Sequence, residues 1–313
     1  MRCIVFTGAG GAEVMELQER PDPVPGPDEL LVEATHAGVN PADLAQRAGR
    51  YPAPAGSPVD VPGLEVAGRV RACGTRVTDW RPGDRVFGVV GGGGLADAVV
   101  VHQRHVARVP DTLDDRLAAA ATEAFITAHD AVFTQAGLRM GETLLVNGAT
   151  GGVGTAAVQL ALAGGARALA NARSQDGLRR LERMGAVARG LEDAREVDVV
   201  LELVGAQNLA GSLRALRVRG RIVVVGTGAG ATGEISLGSL MGRRATVIGT
   251  LLRARPLEEK AAAVQAFARQ VVPLLASGAV TPLIDSVFPA ERAAEAFAHM
   301  TVPGKFGKVL LEF

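Results

Sequence analysis

The first third of the chain consists of short apolar runs that proline and glycine separate. Their length and their bounding turn residues are typical of β-strands. They lie at 3–6, 29–37, 65–72, 85–90, 98–101 and 106–109. This pattern predicts a small all-β domain over residues 1–117. A four-glycine run at 91–94 forms either a loop that faces a site or, the interpretation favoured slightly, a flexible hairpin.

Helical spacing of apolar residues replaces this pattern from residue 118 onward. The predicted strands are 144–146, 166–172, 197–204, 221–225, 245–250, 285–288 and 308–313. The predicted helices are 118–137, one that follows the glycines at 151–154, one that Ser174 caps and that runs to 184, and 209–218, 258–277 and 291–300. Repeated strand and helix alternation predicts an α/β fold with a doubly wound parallel sheet over residues 118–257.

The stretch 143–162, TLLVNGATGGVGTAAVQLAL, predicts a buried strand, a tight glycine turn and a helix. Such a unit presents backbone N–H groups and the positive end of a helix dipole where a pyrophosphate can approach without meeting side chains. We therefore expect Ala149, Thr150, Gly151, Gly152 and Val153 to contact a dinucleotide. The alternative is a glycine-rich turn of an ordinary α/β domain.

Composition narrows the class of partner. Lys and Arg total 33 and so do Asp and Glu, so no net field attracts nucleic acid or an anionic membrane, and a small neutral partner is expected. Hydrophobic residues make up 48% of the chain, which is typical of a globular protein. Two cysteines, Cys3 and Cys73, form no disulfide framework, and neither a signal segment nor a membrane span is evident, so we expect a cytoplasmic protein.

The end of the second nucleotide-domain strand indicates which dinucleotide binds. NAD sites place Asp or Glu here, and that carboxylate repels a 2′-phosphate. This chain has Asn171-Ala172-Arg173-Ser174 instead. An arginine can grip a phosphate bidentately while Ser174 and a helix N-terminus add donors, which favours NADPH. The alternative is that Arg173 is a solvated surface side chain.

Five motifs in order resemble the zinc-free, zeta-crystallin-like quinone oxidoreductases of the medium-chain dehydrogenase/reductase superfamily. They are AGVNPADLAQRAGRYP (37–52), PGLEVAGRV (62–70), WRPGDRVFG (80–88), the glycine segment, and GTLLRARPLEEKA (249–261). The resemblance implies a GroES-like, β-rich catalytic domain from residues 1–117 with a C-terminal return at 258–313. It also implies a Rossmann NADPH-binding domain inserted at 118–257 and a cleft that holds NADPH.

The same resemblance identifies where zinc ligands are missing. Zinc-dependent relatives carry a cysteine where this chain has Asn40, and a histidine before glutamate where it has Leu64 before Glu65. Two cysteines cannot build a four-cysteine structural site, and the five histidines are scattered. We therefore expect no metal. Without a Lewis acid the acceptor must already be electron-poor, such as a quinone or an alkene conjugated to a carbonyl.

The resemblance also implies the site residues. Asn40 and Tyr51, the only tyrosine, correspond to pocket residues of the quinone reductases, and in the related 2-enoyl thioester reductases the equivalent tyrosine is the proposed proton donor. The alternatives are a turn residue before Pro41 and an aromatic packed in a proline-rich loop. Further cofactor contacts are expected at Thr127, Val204, Gly226, Leu251 and Lys308. Three departures from the family are Gly177 in place of a lysine, the absence of a later tyrosine, and a shortened segment between 184 and 197.

Three functions follow from these residues. The leading one is an NADPH:quinone oxidoreductase. The second is an NADPH-dependent 2-enoyl thioester or enone reductase, for which Arg47 and Arg50 beside Tyr51 offer a basic patch. The third is a non-catalytic NADPH-binding structural or RNA-binding protein, against which zero net charge counts. A homodimer through the strand at 245–250 is expected, because an uncovered edge strand favours pairing with a second copy.

Overall fold

The computed structural model describes residues 1–313, which form two compact units. Unit 1 contains Met1–Ile126, Leu252–Val302 and Lys308–Phe313, and unit 2 contains Thr127–Leu251 and Pro303–Gly307. The units change over at 126/127 and 251/252, whereas the sequence predicts boundaries at 117/118 and 257/258. The reason is that the helix Asp115–His129 starts within unit 1, where the backbone N–H of Glu123 donates to Glu65.

The strands are named in chain order. They are β1 Arg2–Phe6, β2 Met15–Glu19, β3 Glu29–Glu33, β4 His36–Val39, β5 Glu65–Cys73, β6 Arg85–Val89, β7 Ala98–His102, β8 Val106–Arg108, β9 Thr143–Asn147, β10 Arg167–Asn171, β11 Val187–Ala188, β12 Val197–Glu202, β13 Leu216–Val224, β14 Thr246–Gly249, β15 Ile284–Pro289 and β16 Lys308–Glu312.

The helices are named in the same way. They are α1 Pro41–Arg47, α2 Asp115–His129, α3 Gly152–Ala163, α4 Gln175–Arg183, α5 Leu209–Ala215, α6 Leu237–Arg243, α7 Leu257–Gln270, α8 Val272–Ala276 and α9 Ala293–His299. A π-helical turn at Asp130–Gln135 continues α2. No helix is long and apolar enough to cross a membrane.

Unit 1 is β-rich and contains three sheets. An antiparallel sheet has the order β7-β3-β5-β6-β8, a second has the order β15-β16-β4, and β1 pairs with β2. The single strand predicted at 29–37 is wrong, because the chain leaves the first sheet after Glu33 and enters the second at His36. An apolar run can continue through such a change of sheet, because both segments face buried interiors.

Unit 2 is a parallel sheet of order β11-β10-β9-β12-β13-β14, so the predicted doubly wound α/β class is confirmed. The shortened segment after 184 leaves a two-residue edge strand, β11. The helix predicted over 209–218 ends at Ala215, because the chain from Leu216 pairs with β12.

One predicted element of unit 1 is also divided. The helix predicted over 258–277 is two helices, α7 and α8, that meet at Val271. Pro273 opens α8, and a proline is tolerated in the first turn of a helix but not in its interior.

Candidate active site

The glycine segment of unit 2 forms the turn that the sequence predicts. Strand β9 ends at Asn147, Gly148 adopts a φ of +85°, and Gly151 is the N-cap of α3. A Cβ at Gly154 would overlap the carbonyl oxygen of Gly148, so this close approach of helix and strand requires glycine. The first-turn N–H groups of α3 have no acceptor within the helix, which makes them donors for an anion.

A buried polar network lies beneath this turn and ties three strand ends together. The side-chain amide of Asn147 donates to Glu202 Oε2 at 2.6 Å, and Asn171 donates to Asn147 Oδ1 at 2.9 Å. Glu202 Oε1 accepts from the backbone N–H groups of Val204 and Gly205 at 2.8 and 2.9 Å. The network fixes the carboxyl ends of β9, β10 and β12. The sequence analysis missed it, although the polar residue that ends each of these buried strands was a usable signal.

The end of β10 carries Arg173 and Ser174 as the sequence indicates. Arg173 is exposed. Ser174 caps α4, and its Oγ accepts from the backbone N–H of Gly177 at 3.0 Å, which confirms the predicted cap. Gly177 has a local reason for departing from the family lysine, because a Cβ there would collide with the methyl group of Thr150.

The short segment at 303–307 belongs to unit 2 and lies on the glycine turn. The N–H of Gly307 donates to the Thr150 carbonyl at 2.9 Å. The guanidinium of Arg180 lies 3.8 Å from the ring centroid of Phe306. This segment therefore adds a second layer at the turn, which the sequence pattern did not indicate.

The remaining predicted cofactor residues differ in location. Ala149 is fully buried and Thr127 nearly so, while Thr150, Gly151, Gly152, Val153, Val204 and Gly226 are partly exposed. The loops that carry Val204 and Gly226 meet, because a Cβ at Gly226 would overlap the carbonyl of Leu203, and Gly226 donates its N–H to the Glu202 carbonyl at 3.1 Å. Leu251 is 49% exposed. Lys308 lies in unit 1, whereas the others belong to unit 2.

Unit 1 holds a buried ionic cluster around Lys308. Its ammonium donates to Asn40 Oδ1 and Glu65 Oε1, each at 2.6 Å, and Asn40 Nδ2 donates to the same Glu65 oxygen at 2.9 Å. The three side chains are at least 95% buried. Burial opposes the charge of Lys308, but the Glu65 and Glu123 carboxylates outweigh that effect and raise its pKa above the ordinary value. Asn40 is therefore held between a cation and an anion.

Asp43 supports this cluster from the start of α1. One carboxylate oxygen accepts from the backbone N–H of Asn40 at 2.8 Å, and the other accepts from Gly63 at 3.1 Å. Complete burial raises the pKa of Asp43 to about 7, in spite of these hydrogen bonds and of Lys308 and Arg253, which lower it. The carboxyl caps the helix and fixes the backbone position of Asn40.

Tyr51 is half-buried, and a buried arginine that the sequence analysis did not single out lies against its ring. The guanidinium carbon of Arg253 lies 5.1 Å from the ring centroid. Burial raises the pKa of Tyr51, Arg253 lowers it, and Glu123 raises it. Of the two arginines expected as a basic patch beside Tyr51, Arg47 lies over the ring of Phe297 and Arg50 is exposed.

The four-glycine run does not join paired strands, because β6 pairs with β5 and β8 while β7 pairs with β3, so the hairpin interpretation is wrong. The run packs closely on neighbouring segments instead. A Cβ at Gly91 would collide with Ser57 Oγ and lie 3.0 Å from Pro54 in the loop that follows Tyr51. A Cβ at Gly94 would collide with the backbone of Glu65. Both contacts need glycine because the neighbouring segments leave no room for a side chain.

The residues at the positions of the missing zinc ligands do not fit a zinc ion. Catalytic zinc takes thiolate, imidazole and carboxylate ligands. Here an amide and the buried side chain of Leu64 occupy the two positions, and the ammonium of Lys308 takes the nearby Glu65 oxygen. No group of three His, Cys, Asp or Glu side chains in the chain is arranged to hold a metal.

Comparison with known proteins agrees with this architecture. Residues 26–111 match the family described as "Alcohol dehydrogenase GroES-like domain", and residues 165–311 match the one described as "Zinc-binding dehydrogenase". The chain is 34% identical to the quinone oxidoreductase of Mus musculus over 330 residues, which covers 99% of this chain and 97% of the relative. It is 31% identical to the synaptic vesicle membrane protein VAT-1 homolog of Mus musculus, covering 99% of this chain and 83% of that protein.

The solved structures give the same result. The structure of Escherichia coli quinone oxidoreductase complexed with NADPH has a TM-score of 0.88 at 25% identity, with all of both chains covered. The Pseudomonas syringae quinone oxidoreductase has a TM-score of 0.89 at 27% identity over all of this chain and 99% of that one. The predicted superfamily and fold are thereby confirmed: the chain is an oxidoreductase of the medium-chain dehydrogenase/reductase superfamily, with quinone oxidoreductases as full-length relatives.

Proposed function

We propose that this protein is an NADPH-dependent quinone oxidoreductase that works without zinc. The observation that carries the proposal is the Lys308 ammonium between Asn40 and Glu65, where an amide and an ammonium replace a metal-binding donor set. Such a site has no Lewis acid to activate an alcohol or a simple carbonyl. A quinone is electron-poor enough to accept a hydride without one.

The glycine turn of unit 2 fits a dinucleotide. The first-turn N–H groups of α3 would bind the pyrophosphate, and Arg173 with Ser174 would bind the 2′-phosphate. Thr127, Val204, Gly226, Leu251 and Lys308 complete the proposed cofactor contacts. NADPH supplies a hydride, and the chain has only to orient it toward the acceptor and exclude water. The NADPH complex of the Escherichia coli relative supports this choice.

The test is NADPH oxidation with 1,2-naphthoquinone, 1,4-benzoquinone and a crotonyl thioester, each with and without a metal chelator. We expect quinone reduction that is unchanged by chelation and faster with NADPH than with NADH. Stoichiometric zinc in the purified protein, together with loss of activity on chelation, would contradict the proposal. Equal rates with NADPH and NADH would contradict the assignment of NADPH as the preferred cofactor.

A second candidate function, the reduction of 2-enoyl thioesters or enones, is favoured by Tyr51. A phenol whose pKa burial raises stays protonated at neutral pH and can donate to an acceptor on which negative charge builds up. We propose Tyr51 as that donor and Asn40 as its partner in the acceptor site, held in orientation by Lys308 and Glu65.

Substitution of Tyr51 distinguishes the two functions. Tyr51→Phe should leave quinone reduction almost unchanged, because a reduced quinone can take its proton from water. It should slow crotonyl thioester reduction on the order of 10²-fold or more, the usual contribution of a general acid. Steady-state kinetics with both acceptors measures this. If both rates are unchanged while the thermal midpoint falls, Tyr51 is a packing residue.

A further inference from the structure

Arg253 is a buried cation whose hydrogen-bond acceptors are all neutral. Its side chain is 4% exposed. Nε donates to the Gly91 carbonyl at 2.7 Å, Nη2 donates to Gln46 Oε1 at 2.6 Å, and Nη1 donates to the Tyr51 carbonyl at 3.4 Å. Burying a charge that no carboxylate hydrogen-bonds is costly, even with Asp43 near enough to favour it, and a neutral side chain could serve the same oxygens. The hydrogen bonds alone therefore do not explain why a charged side chain occupies this position.

The ring of Tyr51 explains why a charged side chain is present. It lies beside the guanidinium at a centroid distance of 5.1 Å, within the range of a cation–π contact. The same guanidinium bonds to the backbone of Tyr51 and to Gly91, against which the loop after Tyr51 packs. Ring and loop are thus both held by Arg253.

We propose that Arg253 is the positioning residue of Tyr51 and that its charge stabilises the phenolate left when Tyr51 gives up its proton. This inference rests on the proposed function as an enoyl or enone reductase. The acceptor takes a hydride from NADPH, which is oxidised, and becomes an anion. The O–H bond of Tyr51 then breaks, its proton completes the reduced product, and the negative charge passes to the phenolate beside Arg253. Water returns the proton to Tyr51.

The charged groups around this pair have opposing effects. Burial has the largest effect on Tyr51 and opposes its ionisation, Arg253 favours it, and Glu123 from α2 opposes it. Asp43 from α1 favours the charge on Arg253, and Lys260 from α7 and Arg253 repel each other. Of these, Arg253 is the one that lowers the pKa of Tyr51, and it offsets part of the effect of burial.

The sole tyrosine of the chain makes a direct test possible. Ultraviolet absorbance of the phenolate reports only Tyr51, and replacement of tyrosine by fluorotyrosine lowers the phenol pKa so that the titration ends before alkaline unfolding. The full-length protein and its Arg253→Gln and Arg253→Lys variants are titrated, with Tyr51→Phe as the blank. Arg85→Gln is the control, because Arg85 is a partly buried arginine of unit 1 whose partner is Asp115 and not Tyr51.

We expect Arg253→Gln to raise the pKa of Tyr51 by roughly one to two units. Arg253→Lys should raise it less, because the charge remains but the planar contact with the ring is lost. Arg85→Gln should leave it unchanged. A folded Arg253→Gln variant with an unchanged pKa overturns the inference. If that variant does not fold, Arg253→Lys decides: a raised pKa supports the inference and an unchanged one overturns it.

Kinetics separate this inference from the proposed function. If the inference is correct, Arg253→Lys lowers kcat for the crotonyl thioester more than kcat for a quinone. The acidic side of the pH profile of kcat for the thioester is unchanged in this variant. If Tyr51→Phe slows the thioester reaction while Arg253 variants leave the Tyr51 pKa unchanged, the inference fails and the proposed function stands. If Tyr51→Phe has no effect on the thioester rate, the proposed donor role fails, and the catalytic use of Arg253 fails with it.

Discussion

Glu65 is the residue on which the polar interior of unit 1 converges. One carboxylate oxygen accepts from Lys308 and Asn40, and the other accepts from the N–H of Glu123 at 2.7 Å. Gly38 is required beside it, because a Cβ there would collide with the carboxylate. A single side chain thus ties β5, β16, α2 and the N-cap of α1 together.

Removal of the buried ammonium of Lys308 tests how much this cluster contributes to the stability of the fold. Lys308→Met should lower the free energy of unfolding by about 3 to 5 kcal/mol, because it leaves the Glu65 carboxylate buried without its ionic partner. Urea unfolding measures this. The double variant Glu65→Gln/Lys308→Met should recover part of the loss. A loss no larger than that of Arg69→Met, an exposed control on β5, the strand that carries Glu65, would contradict the assignment.

Arg173 is the residue on which the cofactor preference depends. Arg173→Ala should reduce the preference for NADPH over NADH by about 1 to 3 kcal/mol, the scale of charge-assisted hydrogen bonds. Binding titrations with both dinucleotides measure it. Arg179→Ala is the control, because Arg179 lies on the following helix and pairs with Asp176. Equal affinities for both dinucleotides in the unmutated protein would refute the prediction.

At the scale of elements, two short segments hold the residues proposed to line the acceptor site. Helix α1 is seven residues long, yet its capping carboxyl, Asp43, fixes Asn40. The proline-rich loop after Tyr51 has no regular secondary structure between 52 and 64, and it packs on the glycine run at 91–94. Both segments position the proposed acceptor residues from outside the large sheets.

Two titratable groups with shifted pKa values predict opposite pH dependences of stability. They are Asp43, at the cap of α1, and His105, at the end of a 3₁₀ turn. The folded-state pKa of Asp43 is raised from 3.8 to about 7, so the stability it contributes is present below pH 3.8 and is lost as the pH rises toward 7. Burial lowers the pKa of His105 from 6.5 to about 4, so its contribution is present above pH 6.5 and is lost as the pH falls toward 4.

Two variants separate these contributions. Relative to the unmutated protein, Asp43→Asn should gain stability more steeply from pH 4 to pH 7, because the opposing loss is removed. His105→Gln should shift the slope in the other direction over the same interval. The urea midpoint measured across this range checks both, and parallel profiles for all three proteins would show that neither group is perturbed.

At the scale of the whole molecule, the free edge of the unit 2 sheet is unusually apolar. Strand β14 pairs only with β13, and Val247 on it is 41% exposed. Leu237 and Met241 of α6 are 66% and 75% exposed. Exposed apolar side chains beside an unpaired strand edge favour association with a second copy.

We therefore predict a homodimer formed through β14. The unmutated protein should be a dimer at micromolar concentration, and Val247→Lys should make it monomeric by placing a charge in the interface. Light scattering measures both. Val187→Lys is the control, since Val187 is 47% exposed on the opposite edge strand, β11. A monomeric unmutated protein would refute the prediction.

Local patterns in the sequence were sufficient for the fold class and for the glycine turn. Helical and strand periodicity depends on neighbouring residues, and the requirement for glycine at 148 and 154 comes from backbone geometry within one turn. The Ser174 cap is local in the same sense. Each of these features depends on residues that are close together in the sequence, so it could be predicted from the sequence alone.

The tertiary structure decided the contacts that join distant parts of the chain. Lys308 reaches Asn40 and Glu65 across 268 and 243 residues, and Arg253 reaches Tyr51 across 202. The division of the run at 29–37 between two sheets is of the same kind, because β4 pairs with the C-terminal strand β16. Periodicity shows which residues are buried, but the topology of the sheets selects their partners, because contacts across hundreds of residues leave no pattern in the local sequence.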